Sequence, residues 1–148
     1  MTAPGSVPGS VPGSVVVGFS PDRYGRAALH YAIAEAGLRD QRLVVVNAST
    51  GDAYVDTHFA GEADVADLRA ELGRLGVEHE IVRPVGGGDV AEQVIGVVRE
   101  HRATLLVIGI RPRSAVGKLL MGSTAQRLLL DCPCPVLAVK ASEDDQDE

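Results

Sequence analysis

Three cations and a glycine-serine pair share one short stretch of this chain: Arg111, Arg113, Lys118, Gly122 and Ser123. Guanidinium and ammonium groups neutralise phosphate charge, and glycine lets a ligand approach the backbone. The first turn of a helix leaves N–H donors without intrahelical partners. If Gly122 and Ser123 begin a helix, the amides of Ser123 and Thr124 face outward as donors and the Ser123 hydroxyl adds another. The chemistry these residue types offer together is capture of a phosphate group.

The elements around that stretch suit the role. Leu105 to Ile108 is an unbroken apolar run, too short for an ordinary helix, and reads as a strand covered on both faces that Gly109 ends. The segment GSTAQRLLLD, opened by Gly122 and Ser123, places Ala125, Leu128 and Leu129 on one helical face. The blander reading of the same residues is a loop that only joins strand to helix. Gly117-Lys118 does not make a Walker A loop, because position 112 is Pro112 and position 119 is Leu119, which has no hydroxyl for magnesium. The sequence contains no nucleophile elbow and no acid pair tied to a base, and Ser123 has no evident histidine partner, so a non-enzymatic role is expected and no catalytic residue is named.

The spacing of Gly109, position 112, Gly122 and Ser123 resembles G-x2-G-x9-G-[S/T], the nucleotide-binding signature of the universal stress protein family. The segment PCPVLAV, Pro133 to Val139, resembles that family's last strand, and the likeness runs over residues 14–140. It implies an adenine nucleotide alpha hydrolase-like, Rossmann-like fold with ATP or a related adenine nucleotide as ligand, and magnesium as a companion ion. By the resemblance Gly109, Gly122 and Ser123 contact phosphates with Thr124 close behind, while Val46 borders the same crevice. Pro112 replaces the signature's second glycine. The family's aspartate in the turn after the first strand contacts the adenosine end, and Ser20 stands at that place here, with Asp22 two positions on. Arg111, Arg113 and Lys118 enter as charge-neutralising partners on their chemistry alone. Homodimerisation through the last strand is also implied, and the apolar run Val136 to Val139 agrees, because an uncovered apolar edge is a liability.

Composition narrows the alternatives. At 148 residues the chain forms one domain able to bury roughly two thirds of its unfolded surface. Hydrophobic content is 45% with only 3% aromatic, so the core is built from Val, Leu, Ile and Ala, and stacking platforms for single-stranded nucleic acid are missing. The net charge is −6, but five of those negatives lie at Glu143, Asp144, Asp145, Asp147 and Glu148, leaving the body near −1. That is not the charge of a nucleic-acid binder. No run approaches the roughly 20 apolar residues of a membrane span, and the N-terminus lacks a signal peptide's cationic start, so a cytoplasmic protein without membrane partners is expected. Cys132 and Cys134, one residue apart, are poorly placed to bridge and too few for a zinc site; they read as buried small hydrophobes.

In chain order, PGSV occurs three times over residues 4–15, marking a flexible leader over 1–13. The domain spans 14–140, and 141–148 is a disordered acidic tail. Val15 to Phe19 reads as a strand, Gly25 to Leu38 as a helix with Ala28, Leu29, Ala32, Ile33 and Ala36 inward, and Leu43 to Asn47 as a second strand. Ala48 to Glu62 is a loop over the strand ends, its His58 solvated. Ala63 to Leu75 is a helix with Val65, Leu68, Leu72 and Leu75 inward, followed by an edge strand over Val77 to Val85 in which His79 is exposed. Gly86-Gly87-Gly88 invites a second phosphate-loop reading, yet it has no following Lys or Arg, and Asp89 as N-cap of a helix over Val90 to His101 accounts for it. Val136 to Lys140 is the fifth strand. The alternation of strands and helices predicts an α/β fold: an open five-stranded parallel sheet of order 3-2-1-4-5, helices on both faces, and a crevice at the switch point that gathers Ser20, Val46, Asn47 and the Gly109 loop. Three functions follow: a nucleotide-binding regulator of the stress response, a nucleotide-free dimeric scaffold of the same family, and a nucleotide-hydrolysing enzyme.

Overall fold

Runs of valine and leucine bounded by turn residues become strands, and each is followed by a helix whose apolar stripe covers the sheet. The computed structural model describes residues 13–47, 61–84, 88–110 and 122–141. Its elements are β1 (Ser14–Gly18), α1 (Arg23–Arg39), β2 (Arg42–Val46), α2 (Glu62–Arg74), β3 (His79–Val82), α3 (Val90–Glu100), β4 (Ala103–Ile110), α4 (Ser123–Asp131) and β5 (Val136–Lys140). The strands form one sheet of order β3-β2-β1-β4-β5, and every pair is parallel. This is the predicted α/β topology.

Successive strand residues point to opposite faces, so the valines of β1 divide between two cores. Val15 and Val17 join Leu43, Val45, Ala28, Leu29, Leu68 and Leu72 on the face covered by α1 and α2. Val16 joins Val44, Val46, Leu106, Val94, Val98 and Leu128 on the face covered by α3 and α4. Each fully buried Val or Leu contributes about 1.5–3 kcal/mol of transfer free energy. Because all strands run the same way, all four helices begin at one rim of the sheet, beyond the strand C-termini.

Helix ends follow local chemistry. Asp22 caps α1, its Oδ1 accepting from Gly25 N at 2.9 Å, and Asp89 caps α3 by accepting from Glu92 N at 2.9 Å. Asp40 closes α1 in the left-handed region (φ 55), and Gly76 does the same after α2 (φ 71).

Several expectations need correction. Gly109 does not end β4: it pairs with Val139, and the strand continues to Ile110. β1 is shifted back one residue, and β3 is confined to His79–Val82. Leu75 is 58% exposed because α2 stops before it and the chain turns away at Gly76; Leu129, at the margin of the apolar face of α4, is 39% exposed. His79 is half-buried, with Nδ1 2.8 Å from the Val77 carbonyl oxygen. The leader, the tail, His58 with the loop around it, Gly86 and Gly87, and Arg111, Pro112, Arg113 and Lys118 lie outside the described residues. Among the described residues no helix is long and apolar enough to cross a membrane.

Candidate functional site

The switch point lies between β1 and β4, where chain connections leave in opposite directions at the sheet's C-terminal rim, the place where sheets of this kind take ligands. Beyond β1 the chain is held to β2 by Phe19 N donating to the Val46 carbonyl at 3.0 Å. Ser20 follows, half-buried, its hydroxyl donating to Asp22 Oδ1 at 2.8 Å. That carboxylate oxygen therefore receives both the Ser20 hydroxyl and the Gly25 amide, fixing the turn that starts α1. A Cβ at Gly25 would collide with the Ser20 backbone, and one at Gly109 would collide with the Tyr24 carbonyl. The first turn of α1 is thus wedged between the β1 turn and the end of β4, and glycine at both contacts is what lets it sit there.

Of the sequence-predicted phosphate ligands, Gly109 is inside β4 and half-buried. Gly122 is the N-cap of α4 in extended conformation (φ −67, ψ 162), and Ser123 and Thr124 are exposed in its first turn. Gly122 offers no side-chain cap and α4 has no acidic residue in its first turn. The other three helices differ: α1 and α3 have Asp22 and Asp89 as caps, and α2 carries Glu62 and Asp64 in its first turn, with Asp64 Oδ2 3.3 Å from Gly61 N. Each of those N-termini already holds a carboxylate against its positive dipole end. Among the described residues, only α4 of the four presents its first-turn amides without one.

α4 is held in place from below. Arg127 Nη1 lies 2.6 Å from Asp89 Oδ2, with Glu92 at 3.7 Å and Asp131 at 3.6 Å. One guanidinium thereby joins the body of α4 to the capped start of α3. Val46, expected beside the ligand, is 1% exposed and commits its side chain to the α3–α4 core. Its remaining contribution to the rim is its carbonyl, already used by Phe19.

A feature that sequence reasoning missed lies further along the rim. A cavity of about 370 Å³ opens between the ends of β2 and β3 and the start of α2, lined by residues that include Asn47, Val65, Arg69, Ile81 and Arg83. Asn47 is 3% exposed, and its amide donates to the Val82 carbonyl at 2.8 Å, which extends the β2–β3 pairing to the cavity floor. Arg83 follows directly after β3, the position from which a side chain reaches a ligand at the C-terminal edge of a parallel sheet. That placement is the signal that would have marked it.

Comparison with known proteins bears on the same residues. The model of the universal stress protein family matches residues 13–140. A universal stress protein of Mycolicibacterium smegmatis is 55% identical over 126 residues, which cover 85% of this chain and 96% of that one. Among solved structures, a universal stress protein from Archaeoglobus fulgidus superimposes with TM-score 0.74 at 24% identity, covering 90% of this chain and 97% of that one. One from the same organism in complex with dAMP does so with TM-score 0.62 at 24% identity, covering 88% and 100%. The matched span includes the whole five-stranded sheet and the uncapped start of α4, and by that match the chain belongs to the universal stress protein family.

Proposed function

We propose that this protein binds ATP or a related adenine nucleotide at the C-terminal rim, with the phosphates on the first turn of α4 and the adenosine end toward the ends of β1 and β2. The observation that carries this reading is the bare N-terminus of α4 beside three helices that each bring their own carboxylate. Gly122 admits a phosphate to the backbone; the amides of Ser123 and Thr124 and the Ser123 hydroxyl donate to it. Arg111, Arg113 and Lys118, between Ile110 and Gly122, supply charge, and magnesium accompanies the polyphosphate. The dAMP complex of the archaeal neighbour supports an adenine nucleotide as the ligand class.

In this reading the protein is a cytoplasmic, non-catalytic regulator of the stress response. Occupancy of the site alters the state of a homodimer formed through β5, the sheet's terminal strand, where Val136, Leu137 and Ala138 are only half-buried. Residues 14–140 form the working domain, flanked by the leader over 1–13 and the acidic tail over 141–148. Nucleic acid and membrane have no part in it.

Calorimetric titration of ATP, AMP and cyclic AMP into purified protein tests the proposal, together with analysis of nucleotide released on heat denaturation. Binding lost on Ser123→Ala supports it; no heat with any adenylate and no copurified nucleotide would sink it. The second reading, a nucleotide-free dimeric scaffold, rests on Pro112, which has no N–H to offer where the family signature has glycine, and on the Ser20 hydroxyl being directed to Asp22. Magnesium-dependent turnover that disappears with Ser123→Ala would instead make the protein an enzyme.

A further inference from the structure

The segment joining α4 to β5 reads Cys132-Pro133-Cys134-Pro135, and both cysteines precede a proline. A residue before proline is confined to extended or polyproline conformations, and Cys132 has φ −68 and ψ 136. The chain then bends at Pro133 and Cys134, and the bend brings the two thiols together, with their Sγ atoms 3.7 Å apart. The backbone is pinned at both ends: Cys132 N donates to the Leu128 carbonyl at 3.1 Å, and the Pro135 carbonyl accepts from Leu106 N at 3.0 Å. Neither sulfur is sealed in the core as the sequence suggested. Both are half-buried and lie against the margin of the α3–α4 core.

We infer that Cys132 and Cys134 form a preorganised dithiolate clip for a soft, thiophilic metal ion, with monovalent copper as the ion it suits best. A disulfide would require the sulfurs to close to about 2.05 Å, against a backbone stiffened by two prolines. Chelation requires a much smaller movement, because two thiolates each about 2.3 Å from a shared ion with few other donors lie roughly 4–4.5 Å apart. Among the described residues no group of three or more His, Cys, Asp or Glu is placed to hold a metal, so the pair lacks the donors of a closed zinc site. Monovalent copper takes soft thiolate ligands and is satisfied by fewer donors than zinc.

Binding breaks two S–H bonds, forms two copper–sulfur bonds and releases two protons to solvent, with no change in the oxidation state of metal or sulfur.

The test is an anaerobic titration of the reduced full-length protein with monovalent copper against bathocuproine disulfonate as competing chelator. One ion per chain is expected, with thiolate-to-copper charge-transfer absorption in the near ultraviolet. Cys132→Ser should weaken binding at least tenfold, and the double change Cys132→Ser with Cys134→Ser should abolish it, with circular dichroism and the thermal midpoint retained. In the unaltered protein, copper should protect both cysteines from iodoacetamide, read by peptide mass spectrometry, which tests the site without any variant. A double serine variant that competes as well as the parent, one ion shared between two chains, cysteines alkylated at the same rate with and without copper, or zinc bound more tightly than monovalent copper would each overturn the inference.

Discussion

Gly109 and Tyr24 are in direct contact across the switch point: a Cβ at position 109 would strike the Tyr24 carbonyl. The glycine that begins the nucleotide signature is thus required by the packing of β4 against the first turn of α1. Gly109→Ala is expected to cost about 1–3 kcal/mol of stability, as overpacking does. Urea unfolding in the absence of nucleotide measures it; an unchanged midpoint would show that the contact is relieved without strain.

A carboxylate placed at the start of α4 should act in opposite directions on folding and on binding. Thr124→Glu supplies the negative charge that the other three helices already have, and should stabilise the helix by about 0.3–1 kcal/mol. The same charge occupies the position of the proposed phosphate and should abolish adenylate binding. A thermal midpoint that rises or holds while the calorimetric signal vanishes is the expected pair of results; retained binding would place the phosphates elsewhere.

Asp22 joins the Ser20 hydroxyl and the Gly25 amide through one oxygen. Asp22→Ala should cost about 1 kcal/mol through loss of the N-cap, and Asp22→Asn distinctly less, because an amide oxygen still accepts. Ser20→Ala removes only one donor to that oxygen and should fall below Asp22→Ala. Equal losses for Asp22→Ala and Asp22→Asn would indicate that the charge, and not the cap, carries the effect.

Above neutral pH the Cys134 thiol has a defined influence. Its pKa moves from the ordinary 9.0 up to about 12 in the folded chain, by burial first and by Cys132 second. The folded state therefore holds this proton more tightly than the unfolded state. The resulting stability is complete below about 9 and is lost as pH rises toward 12. The parent protein should lose stability more steeply over this range than Cys134→Ser, measured by denaturant unfolding at stepped pH; parallel curves would exclude the effect.

Pro112→Gly restores the N–H that the family signature places in the phosphate loop. One charge-assisted hydrogen bond contributes about 1.5–3 kcal/mol, so adenylate affinity should rise roughly tenfold or more. An unchanged constant would mean that this position does not face the ligand.

Sheet order and both cores were legible in the sequence because strands buried on two faces write themselves as unbroken apolar runs, as in VVV at 15–17 and LLVI at 105–108. The stripe Ala28, Leu29, Ala32 and Ala36 likewise marked the inner face of α1. Residues whose role depends on a distant neighbour were misread. Gly109 looked like a strand terminator because its constraint comes from Tyr24, and Leu75 looked inward because only the turn at Gly76 removes it from the core. The start of α4 at Gly122 and Ser123 was legible as a helix start, whereas its distinction from the other helices required knowing which carboxylates cap which ends. The cavity was not legible, since Arg69 and Arg83 come to line one space only when α2 folds over β3.

The shared origin of the four helices at one rim also bears on kinetics. With 20 acidic against 14 basic residues but five of the acids at 143–148, the body of the domain is near neutral. Long-range steering by net charge therefore contributes little, and encounter with an anionic ligand should depend only weakly on added salt. For a nucleotide held as proposed above, residence time is set by donors within a few ångströms of the start of α4, so changes there should appear in the dissociation rate far more than in the association rate.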